Sequence, residues 1–211
     1  DLKMNNKTDY INDFLNNQIP YFRCSDTDIV NIYYYLWSIY GMYYIHVNKG
    51  WEKYPHTQTA VNNFLGMHRF DANFQIKVGA WTADKAYYAY GNVLNWKSLL
   101  PYAHEGGQLP DNMGIGWLSP YWETAIEHVV GAWEIYQHTG DIDFICDCYD
   151  EYFKPLFWNG VYDIWGAKWD GLECLRKMAL LRNKPDDATH WSQMMDAEGM
   201  QAWMNDRWGK N

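Results

Sequence analysis

The chain has 211 residues, 48% of them hydrophobic, and a formal net charge of −9. This apolar content can bury a sizeable core, so the composition excludes an intrinsically disordered chain. The 17 basic residues are scattered among 26 acidic ones, whereas binding to a phosphate backbone requires clustered Lys and Arg. No apolar run approaches the roughly 20 residues of a membrane span. We therefore expect neither a nucleic-acid partner nor a membrane partner.

Cysteine and histidine spacing indicates neither a disulfide scaffold nor a metal site. Cys146 and Cys148 do not form a CxxC pair, and no two of the seven His stand at HxxH or HxxxH spacing. We therefore expect no metal and no cofactor. The glycosylation sequon at Asn6 slightly favours a secreted protein, but the sequence leaves localisation otherwise unknown.

Apolar residues at helical spacing predict helices over most of the chain. The first is expected after a cap at Ser25 or Asp26 and extends to about His46. The next two are expected from about Asp71 to Trp81 and from about Ala86 to the breaker Pro101.

The second half of the chain continues the same pattern after a Gly-rich loop at residues 104–116. A helix is expected from Ser119 or Pro120 through Trp122 to a stop at Gly140. Further helices are expected from the cap Asp141 to about Phe157, from about Asp170 to Asn183, and from Pro185 onwards. No strand pattern competes with these helices.

Short turns at residues 81–84, 138–141 and 182–186 predict antiparallel helix pairs, with the longer loops gathered at the opposite end. The predicted fold class is therefore all-α, with about three helical pairs. Residues 1–24 are interpreted as a lead-in segment and residues 25–211 as the helical-hairpin region. Loops collected on a rigid scaffold are where binding and catalysis tend to occur.

The aromatic share is high, at 18%, with 13 Trp and 18 Tyr. These rings have a flat apolar face and a polar edge, which suits a sugar ring, although most are expected in the core. Trp81, Trp117 and Trp165 lie at predicted loop–helix junctions and are the candidates for sugar contact. Trp122 and Trp133 fall on apolar stripes and are expected to be core residues.

Several segments, in order and spacing, resemble the (α/α)6-toroid glycoside hydrolases of the mannosylglycerate hydrolase and processing α-glucosidase group, and more distantly trehalase and glucoamylase. The segments are His68-Arg-Phe-Asp71 leading to Gly79-Ala-Trp81, Gly106 to Asp111, Tyr136 to Phe144, and Lys177 to Leu181 leading into Asp186 to Trp191. The resemblance implies part of an (α/α)6 barrel, completed by a second segment or chain, and a carbohydrate substrate.

The resemblance also implies roles for particular residues. The general acid of these families lies in the loop before the third helical pair, which here contains Asp163. Glucoamylases have a Glu directly after the Trp of this loop, whereas Gly166 stands here, so the Asp-using relatives fit better. The position of Asp71 corresponds to an Asp that holds substrate hydroxyls. The partner base, usually a Glu, belongs to the second half of the toroid.

Other polar residues in the predicted loops have a functional and a structural interpretation. Glu105 is either the second catalytic carboxylate or a solvated loop residue. Asp111 and Asn112 either bind hydroxyls or form an ordinary turn. His68 either orients substrate or is structural, and Asp163 itself could brace a turn.

The predicted function is hydrolysis of a glycosidic bond in an oligosaccharide or small glycoside, with inversion by two carboxyl groups. One alternative is a non-catalytic carbohydrate-binding or fragmentary helical protein. A second is a polysaccharide lyase on the same architecture, which needs a Tyr or His base and an Arg to neutralise the substrate carboxylate. Of the five Arg, only Arg69 falls near a candidate loop.

Overall fold

The computed structural model describes residues 7–46, 48–50, 52–61, 64–67, 69–103, 108–110, 122–124, 126–161 and 168–197. These residues are mostly helical, which confirms the all-α prediction at the level of secondary structure. The helices are α1 (Lys7–Asn17), α2 (Thr27–Met42), α3 (Arg69–Gly79), α4 (Lys85–Tyr88), α5 (Tyr90–Lys97), α6 (Ile126–Thr139), α7 (Ile142–Cys148), α8 (Lys154–Phe157), α9 (Lys168–Leu181) and α10 (Pro185–Ala197). A π-helical turn (Tyr149–Phe153) joins α7 to α8, and none of the described helices is long and apolar enough to cross a membrane.

Predicted caps explain where several helices begin. The Asp26 carboxylate accepts hydrogen bonds from the backbone N–H groups of Asp28 and Ile29, at 2.9 and 3.3 Å. Asp141 accepts one from the N–H of Phe144 at 2.9 Å. Such side chains satisfy donors that have no partner within the helix. The caps at the first residues of α2 and α7 are therefore confirmed. Helix α9 begins at Lys168, two residues before its predicted start at Asp170.

Three helices, α3, α6 and α9, pack side by side in one row. Ile76 of α3 contacts Gly131 of α6, and Trp81 beyond the end of α3 contacts His138 near the end of α6. In the same direction, Gly171 near the start of α9 lies against Ile126 at the start of α6. The three helices are therefore parallel, and their N-terminal ends lie at one end of the row.

Glycine makes this close approach possible at two of the helix contacts. A Cβ atom at Gly131 would lie 3.0 Å from Ile76 Cγ2, and one at Gly171 would lie 2.2 Å from Ile126 Cγ1. The first distance is tight and the second is far inside van der Waals contact. Each later helix of the row therefore has a glycine where the preceding helix has a buried isoleucine.

A second layer of helices covers the row. In chain order, α5 packs on α3 and α6, α7 with the π-helical turn packs on α6 and α9, and α10 packs on α9. The main core between the layers includes Trp96, Phe153 and Trp191, which are fully buried. In the described part of the chain, α3, α6 and α9 are thus each covered by a helix that follows them in sequence.

The N-terminal region contains a helix that the sequence did not predict. Helix α1 lies within the predicted lead-in segment and packs on α2. Its Phe14 is fully buried in a cluster with Tyr40, Tyr44 and Tyr88. The Tyr40 hydroxyl donates to the backbone oxygen of Tyr88 at 3.1 Å, which joins α2 to the end of α4. Burial raises the pKa of Tyr40, so this hydroxyl remains a donor at neutral pH.

The prediction that no strands occur was wrong. The described residues include three antiparallel strand pairs: β1 (Tyr44–Ile45) with β2 (His56–Thr57), β3 (Thr59–Val61) with β4 (Phe64–Gly66), and β5 (Gln108–Pro110) with β6 (Trp122–Thr124). Each has only two or three residue pairs, too few for an alternating pattern to be visible in the sequence.

The start of α6 was consequently predicted too early. Trp122 lies in β6 opposite Pro110, and the helix begins only at Ile126. Pairing with β5 gives the backbone of residues 122–124 cross-strand hydrogen bonds in place of helical ones. This tertiary pairing overrides the local apolar spacing of Trp122 and Ile126.

A buried polar network fixes α10 against the π-helical turn. Asp187 Oδ2 accepts hydrogen bonds from Tyr149 Oη at 2.9 Å and from Lys154 Nζ at 2.7 Å, and Trp191 Nε1 donates to Tyr149 Oη at 3.0 Å. Burial alone would raise the pKa of Asp187, but the hydrogen bonds from Lys154 and Tyr149 outweigh burial and lower it.

We predict that Gly171→Ala destabilises the fold. Alanine favours a helix by about 1 kcal/mol over glycine, but the new methyl group meets Ile126 at 2.2 Å, and overpacking of this kind costs about 1–3 kcal/mol. Urea unfolding should show a net loss, and the Ile126→Ala background, which removes the clashing atoms, should reduce that loss. An equal loss in both backgrounds would contradict the contact.

We predict that Asp187 contributes to acid sensitivity. Because its folded-state pKa is lowered, its stabilisation is present above the unfolded-state pKa and is lost as pH falls through the folded-state value. The free energy of unfolding should therefore drop between about pH 5 and pH 2, and Asp187→Asn should make the drop shallower. The exposed neighbour Asp186, also in the first turn of α10, provides the control variant Asp186→Asn, which should have the smaller effect.

Candidate functional site

The N-terminal end of the helix row places one carboxylate side chain in the first turn of each helix. These are Asp71 in α3, Glu127 in α6 and Asp170 in α9. Because the three helices are parallel, these first turns share one end of the row. Asp71 is half-buried, Glu127 is 5% exposed and Asp170 is exposed.

Of the predicted site residues, only Asp71 and Trp81 lie among the described residues. The others fall outside them: Glu105, Asp111, Asn112, Trp117, Asp163, Trp165 and His68. In the sequence, Glu105, Asp111, Asn112 and Trp117 precede α6, while Asp163 and Trp165 precede α9.

Trp81 and Asp71 are not brought together. Asp71 lies in the first turn of α3, whereas Trp81 follows its last residue, Gly79. Ten residues of helix correspond to about 15 Å along the axis. The Trp81 ring is 56% exposed and its centroid lies 4.4 Å from that of His138, at the C-terminal end of α6. The two residues therefore occupy opposite ends of the row.

Glu127 and His128 are functional candidates that the sequence reasoning missed. Both side chains are buried, Glu127 at 5% exposure and His128 at 0%. A charged residue is almost never buried without a specific partner. In the sequence, both residues lie between Ile126 and Val129, which belong to the apolar stripe of the predicted helix. That position indicates that the Glu127 side chain is at least partly buried.

His128, in the first turn of α6, is held by contacts with two aromatic side chains. Its Nδ1 atom lies 3.0 Å from Tyr152 Oη, and its ring centroid lies 4.6 Å from that of Trp96. Burial raises the pKa of Tyr152, so the phenol remains protonated. The contacts with Tyr152 and Trp96 therefore hold the position of the His128 ring.

Trp133 is half-buried and packs against the main core, as its apolar stripe predicted. Its ring centroid lies 5.1 Å from that of Tyr136 and 5.8 Å from Lys177 Nζ of α9. Trp133 is thus part of the contact between α6 and α9.

The first-turn carboxylates have two physical interpretations. The N-terminal end of a helix carries a partial positive charge, so an acidic residue there stabilises the helix by about 0.3–1 kcal/mol. The exposed Asp170 and the half-buried Asp71 can also accept hydrogen bonds from hydroxyl groups of a ligand, whereas Glu127 is buried. Among the described residues, no group of three or more His, Cys, Asp or Glu side chains is arranged to hold a metal ion.

Comparisons with protein-family models, with curated proteins and with solved structures gave no match for this chain.

We predict that Asp71 contributes to sugar affinity and that Trp81 does not. Losing a hydrogen bond to a charged group costs about 1.5–3 kcal/mol, so Asp71→Asn should weaken binding roughly tenfold or more. Trp81→Ala removes a ring at the opposite end of the row and should leave affinity unchanged. Calorimetric titration with oligosaccharides measures both, and loss of affinity in Trp81→Ala alone would contradict this assignment.

Proposed function

We propose that this chain is part of an (α/α)6-type glycoside hydrolase that cleaves an oligosaccharide or small glycoside with inversion. The observation that supports the proposal best is the parallel row of α3, α6 and α9, with Asp71, Glu127 and Asp170 in the first turns at one end. In the sequence, the proposed acid Asp163 precedes the first residue of α9 by five residues.

In the proposed reaction, Asp163 in its protonated form donates its proton to the glycosidic oxygen of the leaving group. A second carboxylate removes a proton from water, which attacks the anomeric carbon from the opposite face. Glu105 is the candidate for this base within the chain; otherwise the base belongs to the helical pairs that complete the barrel. The products are two free sugars, or a sugar and an aglycone alcohol.

The remaining candidates bind substrate in this proposal. Asp71 accepts hydrogen bonds from sugar hydroxyls at the first turn of α3, and Asp111, Asn112 and His68 contribute further polar contacts. Trp117 and Trp165 stack against the apolar face of a sugar ring.

The three helix pairs correspond to half of a six-pair barrel. In this proposal a second segment or chain supplies the other pairs and closes the site around the substrate. Closure matters because excluding water strengthens the electrostatic interactions within a site. A hydrolase with an open half-site is therefore expected to bind more weakly and react more slowly than the completed barrel.

We predict that Asp163→Asn abolishes hydrolysis and retains binding. Asparagine preserves the shape of the side chain but cannot donate the catalytic proton, so the rate should fall at least about 100-fold. Reducing-sugar release across a glycoside panel measures turnover, and quenching of Trp fluorescence measures binding. Asp143→Asn, a matched change on the exposed surface of α7, should leave both unchanged.

A non-catalytic carbohydrate-binding protein is the second candidate. It is favoured by the fact that helix dipoles alone can explain acidic residues in all three first turns. Binding without turnover, unaffected by Asp163→Asn, would establish this alternative. Production of an unsaturated sugar from a uronate polymer would instead indicate a lyase.

A further inference from the structure

Helix α2 has a continuous apolar seam on its exposed surface. Ile29, Ile32, Leu36 and the C-cap residue Tyr43 are 51%, 56%, 58% and 40% exposed. Their spacing of three, four and seven residues places all four within about 60° of the helix circumference, at 100° per residue. Ile39 fills the remaining position of the repeat. The five residues, which we call the α2 seam, follow the spacing of a two-heptad coiled-coil contact.

The surroundings of the α2 seam add apolar surface and almost no charge. Asp28 is the one charged residue among the sixteen of α2. Phe74 and Val78 on α3 are 56% and 36% exposed, and a groove of about 520 Å³ runs between α2 and α3 beside the seam. A neutral apolar surface of this kind on a chain of net charge −9 is typical of an interaction site.

The exposed area of this face reaches the lower range of specific interfaces. The six side chains on and beside the α2 seam are between 36% and 58% exposed: Ile29, Ile32, Leu36, Tyr43, Phe74 and Val78. Tyr35 and Met42 are also exposed on α2, but they lie about 80° and 100° from the centre of the seam. A half-exposed side chain of this size offers roughly 80–100 Å², so the face offers roughly 500–600 Å². Two copies would therefore bury about 1,000–1,200 Å² in total, and a specific interface buries at least about 1,000 Å².

The best complement to this face on the described part of the chain is the same face. The other exposed large apolar side chains lie on separate elements: Tyr21, Tyr54, Trp81, Tyr102, Ile142 and Leu180. At the far end of the row, α9 carries the ion pairs of Glu173 with Arg176 and Lys177. A head-to-tail contact would therefore bury charges against the seam, whereas a two-fold contact pairs apolar with apolar.

We infer that two copies of this chain associate through the α2 seam, with the two α2 helices antiparallel. An antiparallel pair places Asp26 and Asp28 of each copy near the C-terminal end of the other α2. The helix dipole disfavours negative charge at that end, but the acidic residues of the two copies are kept apart. A parallel pair would bring four carboxylates and two positive helix ends together. In the antiparallel seam, Ile32 faces Leu36 of the second copy. This association is independent of the proposed hydrolase activity.

Sedimentation velocity over a concentration series up to about 100 μM tests the association. The wild-type chain of 25.0 kDa should sediment as a dimer, and the double variant Ile32→Glu with Leu36→Glu should be a monomer. Leu180→Glu is the matched control, because Leu180 is similarly exposed, at 51%, on α9. It should remain a dimer. Circular dichroism should show unchanged helix content in both variants.

The orientation is tested by the variant Ile32→Glu with Leu36→Lys. In an antiparallel pair each Glu faces a Lys of the second copy, so this variant should dimerise at least tenfold more tightly than the double-Glu variant. Equal weakening would overturn the antiparallel arrangement. A wild-type monomer throughout the series, or a dimer that survives the double-Glu change, would overturn the association itself. Sugar binding is measured on the monomeric variant as well, so that the association and the proposed function are tested separately.

Discussion

The close packing of α3, α6 and α9 is the contact on which the rest of this structure depends. Ile76 packs against Gly131, and Ile126 packs against Gly171, so at each contact only one of the two helices has a side chain in the interface. The helices pack closely and in parallel, with their first turns at one end. After each helix of the row the chain turns back, and the outer helices α5, α7 and α10 cover the row. The position of the candidate site is thus a consequence of two glycines.

Two sets of buried polar groups lie around the row, the Asp187 network and the surroundings of His128. Asp187, Tyr149, Lys154 and Trp191 form a network in which every member has a partner, and it joins α10 to the π-helical turn. The hydrogen bonds within this network explain the lowered pKa of Asp187. His128 belongs to the first turn of α6, at the end of the row that carries the candidate site, and Tyr152 and Trp96 contact its ring.

The two ends and the side of the molecule have different surface chemistry. The N-terminal end of the row carries carboxylates, which suits hydroxyl groups of a ligand. The side formed by α2 is apolar and nearly uncharged, which suits another protein surface.

Helix content, the caps Asp26 and Asp141, and the short turns between paired helices were determined by the sequence itself, because they depend on neighbouring residues within one or two turns. The strand at Trp122, the burial of Glu127 and the contact of Trp81 with His138 were decided only by the tertiary structure. Each depends on which distant segment packs against the residue. Local spacing placed Asp71 and Trp81 at the two ends of one helix, but only the parallel packing of α3, α6 and α9 showed which residues of the other helices share each end.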